Sequence, residues 1–349
     1  MDLKDKSLEE LSQLAAQDPQ NPEIYKEIGN RHFKAENYTA AVEFYQKALD
    51  LDPRFYKALY NLGNTYYKLK DKEKAVHYWH RAIEVKPDFD HAYFNLGYHY
   101  YEEMFWKEAI RSLQEAARLD PNQADTHYYL GKCYHAIGDL PAAIAAFRRA
   151  IALKPDDPEY HYEIANSSYD HGDYQTACAE WTIYVQARPD ESKARNNLCD
   201  ALLQLGRYDE ALAEIEIVLA REPDYPPGLI TKAEILEKLD RRDEAYDLFT
   251  RARSLILGRE GWETLARYVR DCLRRLRRQF SVALLEEGRA QDALREVERF
   301  LQDDPDNPDS YDLRARILEE MGQPEEAARS RREAERLRQQ LNASPAAAH

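Results

Sequence analysis

Cysteine is scarce in this chain, and its pattern excludes two kinds of site. Four cysteines occur among 349 residues, at Cys133, Cys178, Cys199 and Cys272. Their separations match neither a metal-binding motif nor a redox motif. We therefore expect buried, reduced thiols rather than a framework of disulfides.

Long apolar segments and an excess of basic residues are also missing. No stretch of sequence is long and apolar enough to span a membrane, and the first residues do not resemble a signal peptide. The formal net charge of −15 disfavours nucleic-acid binding and favours a neutral or cationic partner. We expect a cytoplasmic protein that neither inserts into membranes nor binds nucleic acid.

The sequence contains no recognisable catalytic motif. It lacks a glycine-rich phosphate loop and a nucleophile elbow, and its ten histidines do not cluster into a ligand set. His77 and His80 are three residues apart, but the further ligands that zinc would need are missing around them. We expect a protein without enzymatic activity, bound metal or cofactor.

What the sequence does contain is a strict period of 34 residues. Seven prolines mark the period: Pro19, Pro53, Pro87, Pro121, Pro155, Pro189 and Pro223. A fixed period in this range is typical of a stacked repeat array, in which each unit packs only against its neighbours. With the proline as position 32 of each unit, the first unit spans 22–55.

Three other positions follow the same period. Position 20 is alanine (Ala41, Ala75, Ala109, Ala143, Ala177, Ala211, Ala245), position 8 is small (Gly29, Gly63, Gly97, Gly131, Ala165, Cys199, Ala233) and position 24 is bulky (Tyr45, Trp79, Leu113, Phe147, Trp181, Ile215, Phe249). Small residues allow two helices to approach closely, and the large side chain fills the space beside them. We therefore expect each unit to be a pair of helices, A and B.

This combination of spacings resembles the tetratricopeptide repeat. The segment 92–121, with AYFNLGYHYY followed by WKEAIRSLQEAARLDP, shows the family pattern clearly. The resemblance covers nearly the whole chain. It implies an all-α fold, a right-handed superhelix of about nine helix-turn-helix units, with a concave surface that binds protein.

The ends of each helix are also marked in the sequence. Glycine at position 15 (Gly138, Gly172 and Gly206) is expected to end helix A, because a left-handed conformation costs glycine little. The proline is expected to end helix B, because it lacks an amide hydrogen. The residue after the proline is expected to cap the next helix A in five units, at Asp88, Asn122, Asp156, Asp190 and Asp224.

The two ends of the array differ from its interior. Residues 1–21 carry a capping box at Ser7 and Glu10, which predicts a lone capping helix ahead of seven regular units over 22–259. In the last unit, over 308–341, the second helix is polar, as a terminal cap requires. Residues 342–349 are expected to form a disordered tail.

The period breaks once, after the seventh unit. Pro305 follows Pro223 by 82 residues, which is two periods and 14 further residues. The additional residues, 259–272, contain no proline and have a helical pattern from Trp262 onward. We therefore expect one long helix from about Trp262 to Glu287, and two divergent units, the last one a cap, within 260–341.

In the tetratricopeptide family, positions 2, 5, 6, 9 and 12 of helix A line the concave groove. The resemblance places aromatic residues and one histidine of this chain there: Phe33, Tyr60, Tyr67, Phe94, Tyr98, Tyr101, Tyr128, His135, Tyr162 and Tyr169. Aromatic residues at helical spacing can also belong to a core, although the family core does not require them at these positions. We therefore expect a tyrosine-rich groove that binds an extended peptide or a partner helix.

Asparagines lie between these aromatic rows, at Asn30, Asn61, Asn64, Asn95 and Asn166. An amide side chain both donates and accepts hydrogen bonds, so these residues could hold the backbone of a bound peptide. The alternative is that they only face water.

The first two units partly resemble the carboxylate-clamp repeats of co-chaperones. Lys26, Asn30 and Asn61 match three positions of that clamp, but its other two cations fall on His91 and Asn95. The loss of two cations removes most of the charge that would hold a carboxylate pair. The resemblance to a clamp is therefore partial.

The predicted long helix concentrates arginine in an otherwise acidic protein, at Arg267, Arg270, Arg274, Arg275, Arg277 and Arg278. One hypothesis is a docking site for an acidic segment or a phosphate group. The other is a set of salt bridges to neighbouring units, or a solvated helix face.

These features are compatible with three functions. The first is a non-catalytic scaffold or adaptor that holds a protein or peptide partner in the groove. The second is the regulatory or substrate-recruiting subunit of a separate enzyme, and the third is a co-chaperone-like clamp. Self-association through the outer faces would be compatible with each. We expect the scaffold.

Overall fold

A computed structural model describes residues 3–343 of the chain. These residues form nineteen α-helices joined by short turns, and no strand occurs among them. They divide into two compact bodies, one ending at Asp190 and one beginning at Glu191, which are described separately. The predicted all-α solenoid of helix pairs is confirmed.

The first body consists of a single helix and five helix pairs. The single helix is α1 (Leu8–Gln17). The pairs are α2 (Pro22–Lys34) with α3 (Tyr38–Leu51), α4 (Tyr56–Lys68) with α5 (Lys72–Val85), α6 (Asp90–Glu102) with α7 (Trp106–Leu119), α8 (Ala124–Ala136) with α9 (Leu140–Leu153), and α10 (Pro158–Asp170) with α11 (Tyr174–Ala187).

The second body consists of four helix pairs. They are α12 (Ser192–Gln204) with α13 (Tyr208–Arg221), α14 (Pro226–Lys238) with α15 (Arg242–Ile256), α16 (Glu263–Glu286) with α17 (Ala290–Asp303), and α18 (Pro308–Glu320) with α19 (Pro324–Ala343). The first helix of each pair is helix A and the second is helix B.

The small and bulky positions meet inside each pair, as predicted. A Cβ atom added to Gly131 would lie 2.5 Å from the ring of Phe147, and the alanine at position 20 of that unit, Ala143, is fully buried. Phe147 itself is also fully buried. The close approach of helices A and B therefore depends on the missing side chain at position 8.

The turn after helix A requires a left-handed residue in every regular unit. Gly138, Gly172 and Gly206 have φ angles of +81°, +85° and +73°. The other four units place a residue with a side chain there, at Glu36, Lys70, Met104 and Asp240, with φ between 59° and 65°. The turn geometry is therefore kept even where a side chain makes it unfavourable.

The caps of helix A lie one residue later than predicted. The N-cap residues are Phe89, Gln123, Asp157, Glu191 and Tyr225, not Asp88, Asn122, Asp156, Asp190 and Asp224. The reason is an additional turn around the proline. At the end of unit three, for example, the Asp120 side chain accepts a hydrogen bond from the Asn122 amide at 3.0 Å, which closes that turn before helix A of unit four begins.

The two ends of the array have the helices that the sequence predicts, with one correction. Ser7 and Glu10 form the capping box of α1, and Leu11 packs against Ile24 and Ile28 of α2. At the other end, α19 continues to Ala343, so the first two residues of the predicted tail are helical. The rest of that tail, residues 344–349, lies outside the described residues.

The long helix is α16, with Trp262 and Glu287 at its caps. Its first half stacks on α14 as the helix A of a further unit would. In regular units the side chain at position 9 contacts a residue 31 positions later, as Asp200 contacts Thr231. In unit seven, Glu234 accepts from the Tyr268 hydroxyl, 34 positions later. The turn before α16 is therefore three residues longer, and 263–275 takes the place of a helix A.

This additional helix A has no helix B of its own. In its register, position 8 is Arg270, which is exposed, whereas the small residue of regular units is buried against helix B. The chain instead continues as α16 and pairs with α17. The 14 additional residues thus consist of three residues that lengthen the turn and eleven that form about three turns of helix. As a result, the additional helix A and helix A of unit eight form one continuous helix, α16.

All four cysteines are buried thiols, as predicted. In the described part of the chain, no helix is long and apolar enough to cross a lipid bilayer.

Candidate peptide-binding groove

A cavity of about 570 Å³ opens along helices α4, α6, α8 and α10 of the first body. We call it the tyrosine cavity. Seven of the predicted groove residues line it: Phe33, Asn64, Tyr67, Phe94, Asn95, Tyr98 and Tyr128. Its volume lies within the usual range of ligand sites, about 300–1,000 Å³.

The rings around the cavity are packed edge to face around Tyr129. The ring centroid of Tyr129 lies 4.9 Å from that of Tyr98, 5.2 Å from Tyr101 and 5.3 Å from Tyr128. Tilted pairs at these distances are the favoured arrangement of aromatic rings. All four rings are half-buried, so each is held by its neighbours while part of it stays accessible.

Seven lining residues were not among the predicted groove residues: Lys68, Trp79, Asp125, Tyr129, Tyr160, Asp157 and Glu159. Tyr129 occupies position 6, and Asp125 and Glu159 occupy position 2, so the family register alone could have identified these three. Trp79 was assigned to the core, and it is buried, but its edge reaches the cavity.

The tyrosine hydroxyls are neutral hydrogen-bonding groups. Burial and, to a smaller extent, the neighbouring Tyr129 raise the pKa of Tyr98 to about 12. Burial also raises the pKa of Tyr67, whose hydroxyl donates to Glu102. At neutral pH these phenols are therefore protonated. Because the Tyr67 and Tyr128 hydroxyls donate to Glu102 and Glu163, their oxygens are left to accept from a backbone N–H of a ligand.

The asparagines connect consecutive units rather than only facing water. Asn64 Oδ1 accepts from Trp79 Nε1 of its own unit at 2.8 Å and from Asn95 Nδ2 of the next at 2.7 Å. Asn30 Oδ1 accepts in the same way from the Tyr45 hydroxyl and from Asn61 Nδ2, both at 2.8 Å. These acceptors are therefore occupied within the protein.

Unit five also has an asparagine at position 9 and a tryptophan at position 24, but the indole N–H does not donate to the asparagine. Trp181 Nε1 is buried and has no hydrogen-bond partner in the described part of the chain, although Asn166 occupies position 9 of that unit. Asn166 does not line the tyrosine cavity.

The remaining predicted groove residues are not part of the cavity wall. Lys26, Asn30, Tyr60, Asn61, His91, Tyr101, His135, Tyr162 and Tyr169 do not line it. The Tyr162 ring lies 4.9 Å from Tyr184, and the Tyr169 ring lies 5.5 Å from Trp181. These two tyrosines contact helix B of their own unit.

The clamp-like residues of unit one contact acidic side chains. Lys26 is 7% exposed, and its Nζ forms ion pairs with Glu27 and, at 2.8 Å, with Glu23. Asn30 Nδ2 donates to Glu27 at 2.9 Å. A carboxylate ligand would have to compete with two carboxylates that Lys26 already binds.

In the second body, three of the six arginines of α16 have partners within the chain. Arg275 donates two hydrogen bonds to Glu237, and Arg274 contacts Asp304. Arg277 donates to the Tyr246 hydroxyl. By contrast, Arg267, Arg270 and Arg278 are exposed and form no ion pair within residues 3–343.

Position 9 of unit six carries a carboxyl group, Asp200, where units one, two and five carry asparagine. Thr231 Oγ1 donates to it at 3.1 Å and Asn196 Nδ2 at 3.3 Å. Burial and, to a smaller extent, the nearby Glu234 carboxylate raise the pKa of Asp200 to about 7, against the lowering effect of the hydrogen bond from Thr231. Asp200 therefore changes its charge near neutral pH in the folded protein.

We predict a pH-dependent stability from Asp200. Its pKa is raised above the value of about 3.9 in an unfolded chain. Its contribution is therefore fully present below about pH 4 and is lost as the pH rises through 7. The stability of Asp200→Asn relative to the parent should therefore increase by on the order of 1 kcal/mol between pH 5 and pH 8, measured by urea denaturation. An equal difference at both pH values, or a similar change in the exposed control Asp209→Asn, would contradict this.

The helix pairs and the groove along their first helices define a protein-interaction solenoid. Sequence profiles of the tetratricopeptide repeat match residues 29–70, 56–89, 105–158, 162–226, 200–254 and 284–330. The chain belongs to the tetratricopeptide repeat family. It is therefore a protein-interaction scaffold in the general sense of that family.

Several solved structures are similar to parts of the chain. YrrB, described as a TPR protein with an unusual peptide-binding site, is 21% identical over 54% of this chain and 97% of its own, with a TM-score of 0.49. One structure of MamA is 25% identical over 49% of this chain and 94% of its own, with a TM-score of 0.45. A tetratricopeptide repeat protein from Parabacteroides merdae is 16% identical over 73% of this chain and 98% of its own, with a TM-score of 0.47. No curated protein matches the chain in sequence.

Proposed function

We propose that the tyrosine cavity binds an extended peptide segment of a partner protein, and that the chain acts as a non-catalytic scaffold. The observation that carries this proposal is the cavity itself. It is walled by half-buried aromatic rings that are fixed by edge-to-face contacts with one another. Rigid aromatic surface with polar tips offers contact area at a low entropic cost to the binding site.

The polar groups of the cavity suit a peptide backbone. Tyrosine hydroxyls remain protonated, and the amide side chains of Asn64 and Asn95 lie at the cavity wall. Since Asn64 Oδ1 is occupied by Trp79 and Asn95, these asparagines act mainly by fixing the wall. In this proposal the aromatic rings supply the affinity, and the hydroxyls orient the bound segment.

The carboxylate clamp is not proposed, because Lys26 already binds Glu23 and Glu27. The volume of the cavity favours a short extended segment over a whole helix, which is about 10–12 Å in diameter.

The test uses peptides selected from a displayed random library against the intact protein. Tyr98→Ala with Tyr128→Ala should lower the affinity for a selected peptide by about tenfold or more, corresponding to about 1.4 kcal/mol. The matched control is Tyr78→Ala, a half-buried tyrosine on α5 outside the cavity, which should leave the affinity unchanged.

Circular dichroism of each variant is needed to interpret the result. Unchanged helicity with lost binding supports the groove. Unfolding of the double variant would show that the two tyrosines belong to the core. Equal losses in the control, or failure to select any peptide, would also count against the proposal.

A further inference from the structure

We propose that five arginines of α16, Arg270, Arg274, Arg275, Arg277 and Arg278, form a binding site for a phosphate monoester group. The site is a cavity of about 250 Å³ in the second body, between α16, α17 and α18. Arg274, Arg275, Arg277 and Arg278 line it, with the hydrophobic floor formed by Val297, Phe300 and Leu313. We call it the arginine cavity. The site is independent of the tyrosine cavity.

Three of these arginines are held in place by their neighbours. Arg275 is bound by Glu237 through two hydrogen bonds of 3.1 and 2.8 Å. Arg277 lies over the rings of Tyr246 and Phe300, at 5.0 and 5.6 Å from their centroids. A guanidinium group has five N–H donors, so a group oriented by one neighbour retains donors for a second acceptor. The cavity therefore offers oriented donors at little further entropic cost.

The missing helix B exposes additional positive charge next to this cavity. A smaller adjoining space of about 40 Å³ is lined by Arg253 and Arg270 as well as by Arg274 and Arg277. Arg270 stands at the register position where other units carry a small residue against helix B. Because no helix B covers it, its guanidinium group remains exposed.

Two of the arginines carry a charge that no ion pair offsets. Six arginines line the two spaces, and Glu237, Asp271, Asp304 and Asp309 either pair with them or share the lining. Arg270 and Arg278 form no ion pair within the described residues. This local excess of positive charge stands in a chain whose net charge is −15. A phosphate monoester carries about −1.5 to −2 charges at neutral pH and would offset this excess.

One end of the arginine cavity combines a helix N-terminus with the carboxylate of Asp309, whose charge the arginines outnumber. Asn307, Asp309 and Ser310 of its lining belong to the first turn and N-cap of α18. The N-terminus of a helix carries a partial positive charge. A guanidinium group can donate two parallel hydrogen bonds to two oxygens of one phosphate group. This bidentate contact favours phosphate over a singly charged halide.

The first experiment uses inorganic phosphate as the probe and follows thermal unfolding of the intact protein. Phosphate should stabilise the wild type more than chloride at equal ionic strength. Arg270→Gln with Arg278→Gln should reduce the apparent phosphate affinity about tenfold, because two uncompensated cations are removed. These two arginines form no ion pair within residues 3–343, so the variant keeps the internal contacts of α16.

The matched control removes two exposed arginines that line neither space, Arg259→Gln with Arg267→Gln. Its phosphate affinity should stay within about twofold of the wild type, since surface charges at a distance are screened. The proposal is overturned if phosphate stabilises the wild type no more than chloride does. It is also overturned if the control loses as much affinity as Arg270→Gln with Arg278→Gln.

A second comparison distinguishes the source of the phosphate. A capped pentapeptide with a central phosphoserine is titrated beside inorganic phosphate and beside the same peptide with serine. Tighter binding of the phosphopeptide than of phosphate indicates a phosphorylated polypeptide. Equal binding of the two indicates a small phosphate compound. Binding of the serine peptide equal to that of the phosphopeptide would overturn the proposal.

Discussion

Replacing Phe147 by alanine is expected to destabilise the protein by about 3–5 kcal/mol, the largest effect of any single change considered. Phe147 is fully buried at position 24 of unit four, where its ring fills the space left by Gly131. The alanine variant would lose the burial of the ring and leave a void that the close helix pair cannot collapse to fill.

Urea denaturation followed by circular dichroism measures this cost. The comparison is Phe105→Ala, because Phe105 is 55% exposed and its removal should cost far less. A loss below about 1 kcal/mol for Phe147→Ala would mean that the pair repacks, contrary to the close packing between Gly131 and the ring.

The second large effect is expected from Asn64→Leu, at about 2 kcal/mol. This change removes the acceptor of two hydrogen bonds, one from Trp79 Nε1 and one from Asn95 Nδ2. The indole N–H is buried, so its lost partner cannot be replaced by water without opening the structure. The half-buried Asn95 amide can be rehydrated and contributes less.

A double-mutant cycle isolates the buried bond. Asn64→Leu is made in the wild type and in a Trp79→Phe background, and the two costs are compared by urea denaturation. The cost should be about 1 kcal/mol smaller in the phenylalanine background, because the orphaned donor is gone. Equal costs in both backgrounds would show that the indole bond does not contribute to stability.

Much of the fold could be predicted because each repeated residue has one local physical role. The prolines, the small residues at position 8 and the glycines at position 15 each specify a backbone or packing condition that is met without distant contacts. The break in the period likewise predicted the long helix. The caps of helix A were misplaced by one residue, because the turn around the proline is closed by a side-chain bond such as that of Asp120.

The candidate groove was less predictable than the fold. Register identifies which residues share a face, but it does not show which of them enclose space. Tyr128 and Tyr162 occupy the same position in consecutive units, yet only Tyr128 lines the tyrosine cavity. Tyr162 instead packs on Tyr184, a contact that depends on a bulky residue of the neighbouring helix B. Likewise, the partners of Lys26 and Arg275 depend on which carboxylates the fold brings near them.

The fused helix α16 changes how the second body can lose its structure. In a regular array each unit can melt separately, because neighbouring units share only an interface. Here a single backbone hydrogen-bond ladder from Glu263 to Glu286 belongs both to the level stacked on α14 and to the pair formed with α17. Unfolding that begins at α19 therefore meets no unit boundary within α16, and we expect residues 226–303 to open and close as one cooperative segment.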